Sequence, residues 1–279
     1  MTRVLVTGVR GKTGVPLAQA LMARPGVDVL GGSSDPRTVT LEGVQPTALS
    51  WDNESTWATA TGGVDAVYVV RPDRADAPEL IDALLTGLAA ETRVVLLSER
   101  NADSLGPHSW AARTEQVVRS SGRPWTILRP SWFMQVLTDE RFYLGPVVEE
   151  GELAFSSGGA SVAWIDARDI AAVAERALLD DGHEGQVYEL TGPESLTLPK
   201  VADQLSAAVG RRVTLRETTI AETLEGLSGF ERDLTMWTFE RVHAGDFAPV
   251  TDTVEHVTGR PAQSLESFLT DSAAQLKRG

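Results

Sequence analysis

Apolar runs and stretches of helical spacing alternate through the first 130 residues. Val4-Leu5-Val6 is apolar and stops at Gly8, which predicts a first strand. Leu17, Ala18, Leu21 and Met22 then share one face of a helix spanning residues 14–22. Further strands are predicted at 27–30, 47–49, 64–70, 94–97 and 125–128. Asp76 with Glu79 three residues on marks a helix start, and a further helix is predicted over 109–120. Val94-Val95-Leu96-Leu97 is apolar throughout, as a parallel strand buried on both faces requires. The pattern predicts an α/β fold with an open, doubly wound parallel sheet covered by helices.

After Pro130 the alternation loosens. Residues 145–162 are rich in glycine, while helices near 169–179 and 198–209 and a strand at 187–190 keep the α/β character. Residues 218–247 combine helical spacing with bulky apolar side chains. No repeat or linker interrupts the chain. The expectation is one domain over 1–279, with roughly 131–160 and 190–279 forming a small C-terminal substrate lobe.

Composition narrows the chemistry. The 279 residues contain no cysteine, which excludes disulfides, thiol catalysis and Cys-ligated metal. Four scattered histidines predict no metal site. A net charge of −14 argues against nucleic acid as a partner. No apolar run has the 18 or so residues that cross a membrane. Met1-Thr2-Arg3 leads straight into an apolar strand, so no secretory signal is predicted and the expectation is a cytoplasmic protein, monomer or homodimer.

The strongest motif is Gly8-Val9-Arg10-Gly11-Lys12-Thr13-Gly14, a G-x-x-G-x-x-G between a strand and a helix. Glycines there permit a tight turn and a close approach of ligand to backbone, and the helix N-terminus faces a pyrophosphate. A nucleotide-triphosphate P-loop ending in Gly11-Lys12-Thr13 would need glycine where Val6 stands, and is rejected. The prediction is a Rossmann-type dinucleotide site at Gly8, Arg10, Gly11, Lys12, Thr13 and Gly14. Strand two ends in Gly31-Gly32-Ser33-Ser34-Asp35-Pro36-Arg37, where an NAD site usually has an acid hydrogen-bonded to ribose. Ser33, Ser34 and Arg37 suit a 2′-phosphate, which favours NADPH as cofactor. Asp52, Val70 and Arg71 follow later strands and are further candidate contacts, as is Ser98 after strand five.

These features, with Ser121-Gly122-Arg123-Pro124-Trp125-Thr126-Ile127-Leu128-Arg129-Pro130, Ile165-Asp166-Ala167-Arg168-Asp169-Ile170-Ala171 and Tyr188-Glu189-Leu190-Thr191-Gly192-Pro193, resemble the NmrA-like atypical short-chain dehydrogenases/reductases over nearly the whole chain. The resemblance implies NAD(P) binding on a Rossmann fold with a substrate cleft under a C-terminal lobe. Members include quinone reductases, aromatic-polyketide ketoreductases and redox-sensing regulators without catalysis.

One departure bears on mechanism. Most short-chain dehydrogenases use a Tyr-x-x-x-Lys pair to move the substrate proton. The three lysines here, Lys12, Lys200 and Lys277, follow Gly8, Leu196 and Ala273 by four residues, and the expected helix carries Trp110 and Thr114. The proton must then come from water, from the substrate, or from Ser98, His108 or Tyr143. Trp110, Trp132, Phe133, Met134, Tyr143 and Trp237 are candidates to bind a flat substrate. The expected function is NADPH-dependent reduction of a small-molecule aromatic carbonyl, polyketide or quinone-like. The alternative is a non-catalytic NAD(P)-sensing regulator.

Overall fold

The computed structural model describes residues 1–277. Its contacts divide the chain into two compact units, Met1–Pro130 with Ala167–Glu189, and Ser131–Asp166 with Leu190 onward.

In the first unit, short Val- and Leu-rich segments become strands because both of their faces are covered. They are β1 (Thr2–Val6), β2 (Val27–Ser33), β3 (Gln45–Ala48), β4 (Ala66–Val70), β5 (Arg93–Leu97) and β6 (Trp125–Pro130). The order across the sheet is β3-β2-β1-β4-β5-β6, then the strand Gln186–Leu190. All five neighbouring pairs from β3 to β6 are parallel. The chain moves outward on one side of β1 and then returns to its other side at β4. That reversal puts the topological switch point at the ends of β1 and β4, where such sheets bind ligands. The sheet is the predicted Rossmann-type, doubly wound α/β fold.

Five helices accompany it: α1 (Gly14–Met22), α2 (Trp57–Thr61), α3 (Ala77–Thr86), α4 (Trp110–Ser120) and α5 (Ala167–Leu179). Helix α1 packs beside α5, and α3 beside α4. The apolar face expected of α1 is the one it buries, through Leu17, Ala18 and Leu21. Strand β2 runs beyond the predicted end, through Gly31 and Gly32. A Cβ at Gly31 would stand 2.7 Å from Val44 Cγ1, so this strand needs glycine to lie against its neighbour. Helix α2 has no counterpart in the prediction. It is one short turn anchored by Trp57, whose indole N–H donates to the Ser50 carbonyl at 2.7 Å. The expected cap at Asp76 is also corrected: its carboxylate accepts from Arg74, at 2.6 and 2.9 Å, and makes no side-chain cap on α3.

The second unit resolves the glycine-rich stretch into two short strands. Glu152–Phe155 pairs in parallel with Thr214–Glu217, and Ser161–Val162 pairs antiparallel with Leu196–Thr197. The helical spacing over 218–247 breaks into Ile220–Thr223 and Gly229–His243. Gly226, at φ +79°, makes the turn between them. The core is aromatic: the Trp132 ring centroid lies 5.1 Å from Phe155, 5.5 Å from Phe239, 5.6 Å from Phe247 and 6.3 Å from Trp164. The edge-to-face pairs among them, with Phe155, Trp164 and Phe247, each contribute about 0.5–1.5 kcal/mol beyond burial. The first segment of this unit continues to Asp166, past the expected boundary at 160.

Candidate functional site

The glycine loop is built by backbone geometry. Gly8 leaves β1 at φ +62°, in the left-handed region that a side chain resists. The Gly11 N–H donates to the Gly8 carbonyl at 2.8 Å and closes the turn. A Cβ on Gly14 would overlap that same carbonyl oxygen and stand 2.8 Å from Val9 Cα, so the start of α1 lies against the turn only because Gly14 has none. A Cβ on Gly8 would meet Val70 Cβ at 3.3 Å, which sets the loop directly beside the end of β4. Thr7 locks this pairing. Its N–H donates to the Tyr68 carbonyl at 3.0 Å, and its Oγ1 accepts from the Val70 N–H at 2.7 Å.

Thr13 is the N-cap of α1 but makes no side-chain cap bond, and no acid stands in the first turn. In the first turn Val15 donates its N–H to the Gly11 carbonyl at 3.1 Å and Pro16 has none, which leaves the Gly14 N–H and the helix dipole to favour an anion. Arg10 is exposed on the loop and Lys12 partly so. This is an arrangement that a pyrophosphate fits.

The end of β2 is more specific than the sequence suggested. Ser33 is buried and turned inward, donating to the Asp35 carbonyl at 3.0 Å and accepting from the Asp35 N–H at 3.2 Å. The expectation that Ser33 contacts the cofactor through its hydroxyl is therefore corrected: that hydroxyl shapes the turn. Ser34 is exposed. Arg37 is exposed and forks onto Asp35, at 2.9 and 3.0 Å. The Arg37 side chain, with its backbone N–H and the charge on Arg10, holds the Asp35 carboxyl below the usual carboxylate range. The acid that would otherwise address a ribose is thus engaged by the arginine expected to bind phosphate.

Beyond β4, Arg71 is sandwiched. Its guanidinium carbon lies 3.7 Å over the Trp110 ring, and its Nη2 donates to Glu99 at 2.9 Å. Trp110 is itself anchored by its indole N–H to the Arg74 carbonyl at 2.8 Å and is almost fully buried. Thr114 donates its hydroxyl to the Trp110 carbonyl at 2.8 Å. Neither side chain in the positions of the missing Tyr-x-x-x-Lys pair has a proton to offer, and Trp110 supports Arg71 rather than presenting a free face. Asp52 is exposed and paired with Arg74 at 2.5 Å.

Ser98 follows β5, and its hydroxyl donates to Glu115 at 2.7 Å. Glu115 is 3 % exposed on the buried face of α4 and accepts from Arg129 Nε at 2.8 Å and Nη2 at 2.6 Å. Arg129 also donates to Asp103 at 2.7 and 2.8 Å and to Glu189 at 3.3 Å. Ser98 is corrected as a source of the substrate proton, because its hydrogen is committed to a carboxylate. Nothing in the motif reading named Glu115. The available signal was a pair of opposite charges at apolar positions: Arg129 in a buried strand, and Glu115 in helical register with Ala111 and Val118.

The remaining candidates divide by exposure. His108 is exposed before α4. In the second unit, Met134 is 1 % exposed and belongs to the core, so its assignment to substrate is corrected, whereas Trp132 is partly buried and packs against four aromatic rings. Burial raises the Tyr143 hydroxyl well above its ordinary pKa, which makes it a poor acid. Phe133 is partly exposed, and Trp237, 39 % exposed, stacks edge-on to Phe230 at 6.3 Å. Among the described residues no group of His, Asp or Glu is arranged to hold a metal ion, and no helix is long and apolar enough to cross a membrane.

A glycine loop at the switch point of a doubly wound sheet defines a dinucleotide-binding protein. The profile of the NAD(P)H-binding family matches residues 8–181, and the chain belongs to that family. It is 34 % identical to the NAD(P)H azoreductase of Xenophilus azovorans, over 97 % of this chain and 98 % of that one. It is 30 % identical to a (4-alkanoyl-5-oxo-2,5-dihydrofuran-3-yl)methyl phosphate reductase of Streptomyces griseus, over 97 % and 98 %. Its fold matches the NADPH-dependent quinone oxidoreductase QOR2 of Escherichia coli, with a TM-score of 0.82 at 22 % identity over 96 % of this chain and 99 % of that one. These relationships agree with the NmrA-like resemblance and place the chain among the NAD(P)H-dependent oxidoreductases.

Proposed function

We propose that this oxidoreductase uses NADPH to reduce a planar aromatic acceptor, a quinone, azo compound or aromatic carbonyl. The observation that carries the reading is the uncapped, acid-free N-terminus of α1 behind the Gly8–Gly14 turn, with Arg10 and Arg37 close by. Gly8, Arg10, Gly11, Lys12, Thr13 and Gly14 take the pyrophosphate. Ser34 and Arg37 take the 2′-phosphate, with Ser33 shaping their turn. Asp52 steadies the adenosine side through Arg74, and Val70 and Arg71 bound the nicotinamide side. Phe133 and Trp237 retain aromatic surface for a flat acceptor. The azoreductase and quinone oxidoreductase activities of the relatives support that substrate class.

When bound, the reduced nicotinamide supplies a hydride. The residues of the first unit align it and add no proton, since Trp110, Thr114 and Ser98 are all committed to internal hydrogen bonds. The hydroquinone, hydrazo or alcohol product is completed by one proton, from solvent or from a hydroxyl that the substrate itself carries.

Calorimetric titration with NADPH, NADP⁺, NADH and NAD⁺, followed by NADPH oxidation against menadione, a phenyl-azo-naphthol and an aromatic ketone, tests the reading. Tighter binding of the phosphorylated pair and one NADPH consumed per two-electron reduction are expected. Binding without oxidation by any acceptor would favour the sensing alternative. Failure to bind any of the four nucleotides would sink the cofactor reading.

A further inference from the structure

Ser98 closes β5 with a hydroxyl that can do only one thing. A serine hydroxyl has one hydrogen and two acceptor lone pairs. The hydrogen goes to Glu115 Oε1 at 2.7 Å. Glu115 cannot swing away, because Arg129 forks onto both of its oxygens, at 2.8 and 2.6 Å, and Arg119 adds a third contact at 3.2 Å. Such bidentate charge-assisted pairs are directional as well as strong. Arg129 is fixed from its other side by the fork onto Asp103. The Ser98 backbone N–H donates to the Leu128 carbonyl at 2.8 Å, which pins the residue itself. What Ser98 has left is its lone pairs.

We infer that Ser98 accepts a hydrogen bond from the carboxamide N–H of the nicotinamide ring, and that Glu115 and Arg129 are positioning residues that keep the Ser98 hydrogen turned away from that ring. The inference rests on the dinucleotide reading above. In the sheet order, β4 and β5 lie on one side of β1 and β2 on the other. A pyrophosphate on the loop after β1, with its adenosine ribose toward Ser34 and Arg37 after β2, sends the nicotinamide half toward β4 and β5. The end of β5 is two strand spacings from β1, about 10 Å. Of the polar groups in that half, ribose hydroxyls rotate between donor and acceptor, whereas the carboxamide nitrogen only donates. A fixed acceptor selects a fixed donor. Burying an Arg–Glu pair at 5 % and 3 % exposure is costly for stability alone, and replacing such pairs by apolar residues is often neutral or stabilising. Here the pair holds one lone-pair direction.

The test compares NADP⁺ with its 3-acetylpyridine analogue, in which a methyl ketone replaces the carboxamide and no N–H remains. Both are titrated calorimetrically into the full-length wild-type protein, Ser98→Ala and Ser98→Thr. The expected result is a loss of roughly tenfold in NADP⁺ affinity for Ser98→Ala, the size of one net hydrogen bond. Analogue affinity should change less than about twofold, and Ser98→Thr, which keeps the hydroxyl, should restore NADP⁺ binding. A merely structural loss would weaken both nucleotides alike, so equal losses overturn the inference while leaving the cofactor reading intact. A wild-type protein that binds neither nucleotide overturns the cofactor reading and this inference with it.

Discussion

The glycine loop and the Ser98–Glu115–Arg129 knot lie in the same unit, at the carboxyl ends of β1 and of β5 and β6, yet they are made in opposite ways. The loop is local and made of backbone. Seven consecutive residues form it, and its shape depends on missing side chains at Gly8, Gly11 and Gly14. The knot is made of side chains from four segments, joining Ser98, Asp103, Glu115 and Arg129 across 14 to 26 residues of chain. A site of the first kind is written in spacing. One of the second kind exists only once the fold has brought opposite charges together. The difference predicts that damage to the knot spreads into stability, while damage to the loop stays with the ligand.

The knot should give the largest effect. Arg129→Ala leaves Glu115 buried without its main partner, and breaking such a pair by removing one member costs about 3–5 kcal/mol. At a few degrees per kcal/mol in a chain of this size, the thermal midpoint should fall by roughly 10 °C. Calorimetric melting checks this. A fall of only a degree or two would mean that the pair is loosely held and that the contrast with the loop is false.

Gly14→Ala should come next, and in a different observable. Its Cβ meets the Gly8 carbonyl and Val9 Cα, which are backbone atoms with no rotamer to escape into. Overpacking of this kind costs about 1–3 kcal/mol. The loop must open to relieve it, so dinucleotide affinity should fall by roughly 10- to 100-fold. Titration against NADPH, paired with a melting curve, separates the two regions: the melting change should be smaller than that of Arg129→Ala and the affinity loss the dominant effect.

How much of this was legible follows the same division. The strand–helix alternation and the glycine motif led to the sheet and the loop, because hydrophobic periodicity and glycine spacing act over a few residues. Residues whose meaning depends on a distant partner were misread. Ser98 looked like a proton donor, and only Glu115, seventeen residues on, reveals where its hydrogen goes. Ser33 was misread at short range: it looked like a ligand, and its hydroxyl shapes a turn with Asp35 two residues on. Met134 looked like a binding surface, because a large apolar residue next to a strand end reads the same in a core as in a cleft. Thr7 was not singled out at all, although its hydroxyl ties β1 to β4 beneath the loop.

The end of β2 lies between the two cases, a local turn whose specificity depends on a side-chain pair. Arg37→Ala should weaken NADPH binding about tenfold more than NADH binding, the size of one charge-assisted contact. Asp35→Asn frees Arg37 and should move the ratio the other way. Equal changes for both cofactors would detach Arg37 from the 2′-phosphate.

Titration offers a milder break of the knot. Arg129 holds the Asp103 carboxyl below its ordinary value of 3.8. A carboxyl lowered in the folded state adds stability above its unfolded pKa, and that stability is lost as pH falls through the folded value. Asp103→Asn should therefore lower the urea midpoint slightly at pH 7, and the difference from wild type should shrink at pH 3. A difference that persists at pH 3 would assign the effect to packing.

The smallest effect should be at His108, which belongs to neither region. It is exposed in the segment before α4, next to the Ser109 cap. A general acid contributes about 10²- to 10⁴-fold to a rate. If the proton comes from solvent or substrate, His108→Ala should leave turnover within about twofold across pH 5–8, since the only change is loss of an exposed ring. The informative quantity is the pH profile of kcat with a hydroxyl-bearing naphthoquinone, whose own hydroxyl can supply the proton, against an aromatic ketone that has no hydroxyl. A drop confined to the ketone would return His108 to the mechanism and make the exposed segment, rather than the loop or the knot, the source of the proton.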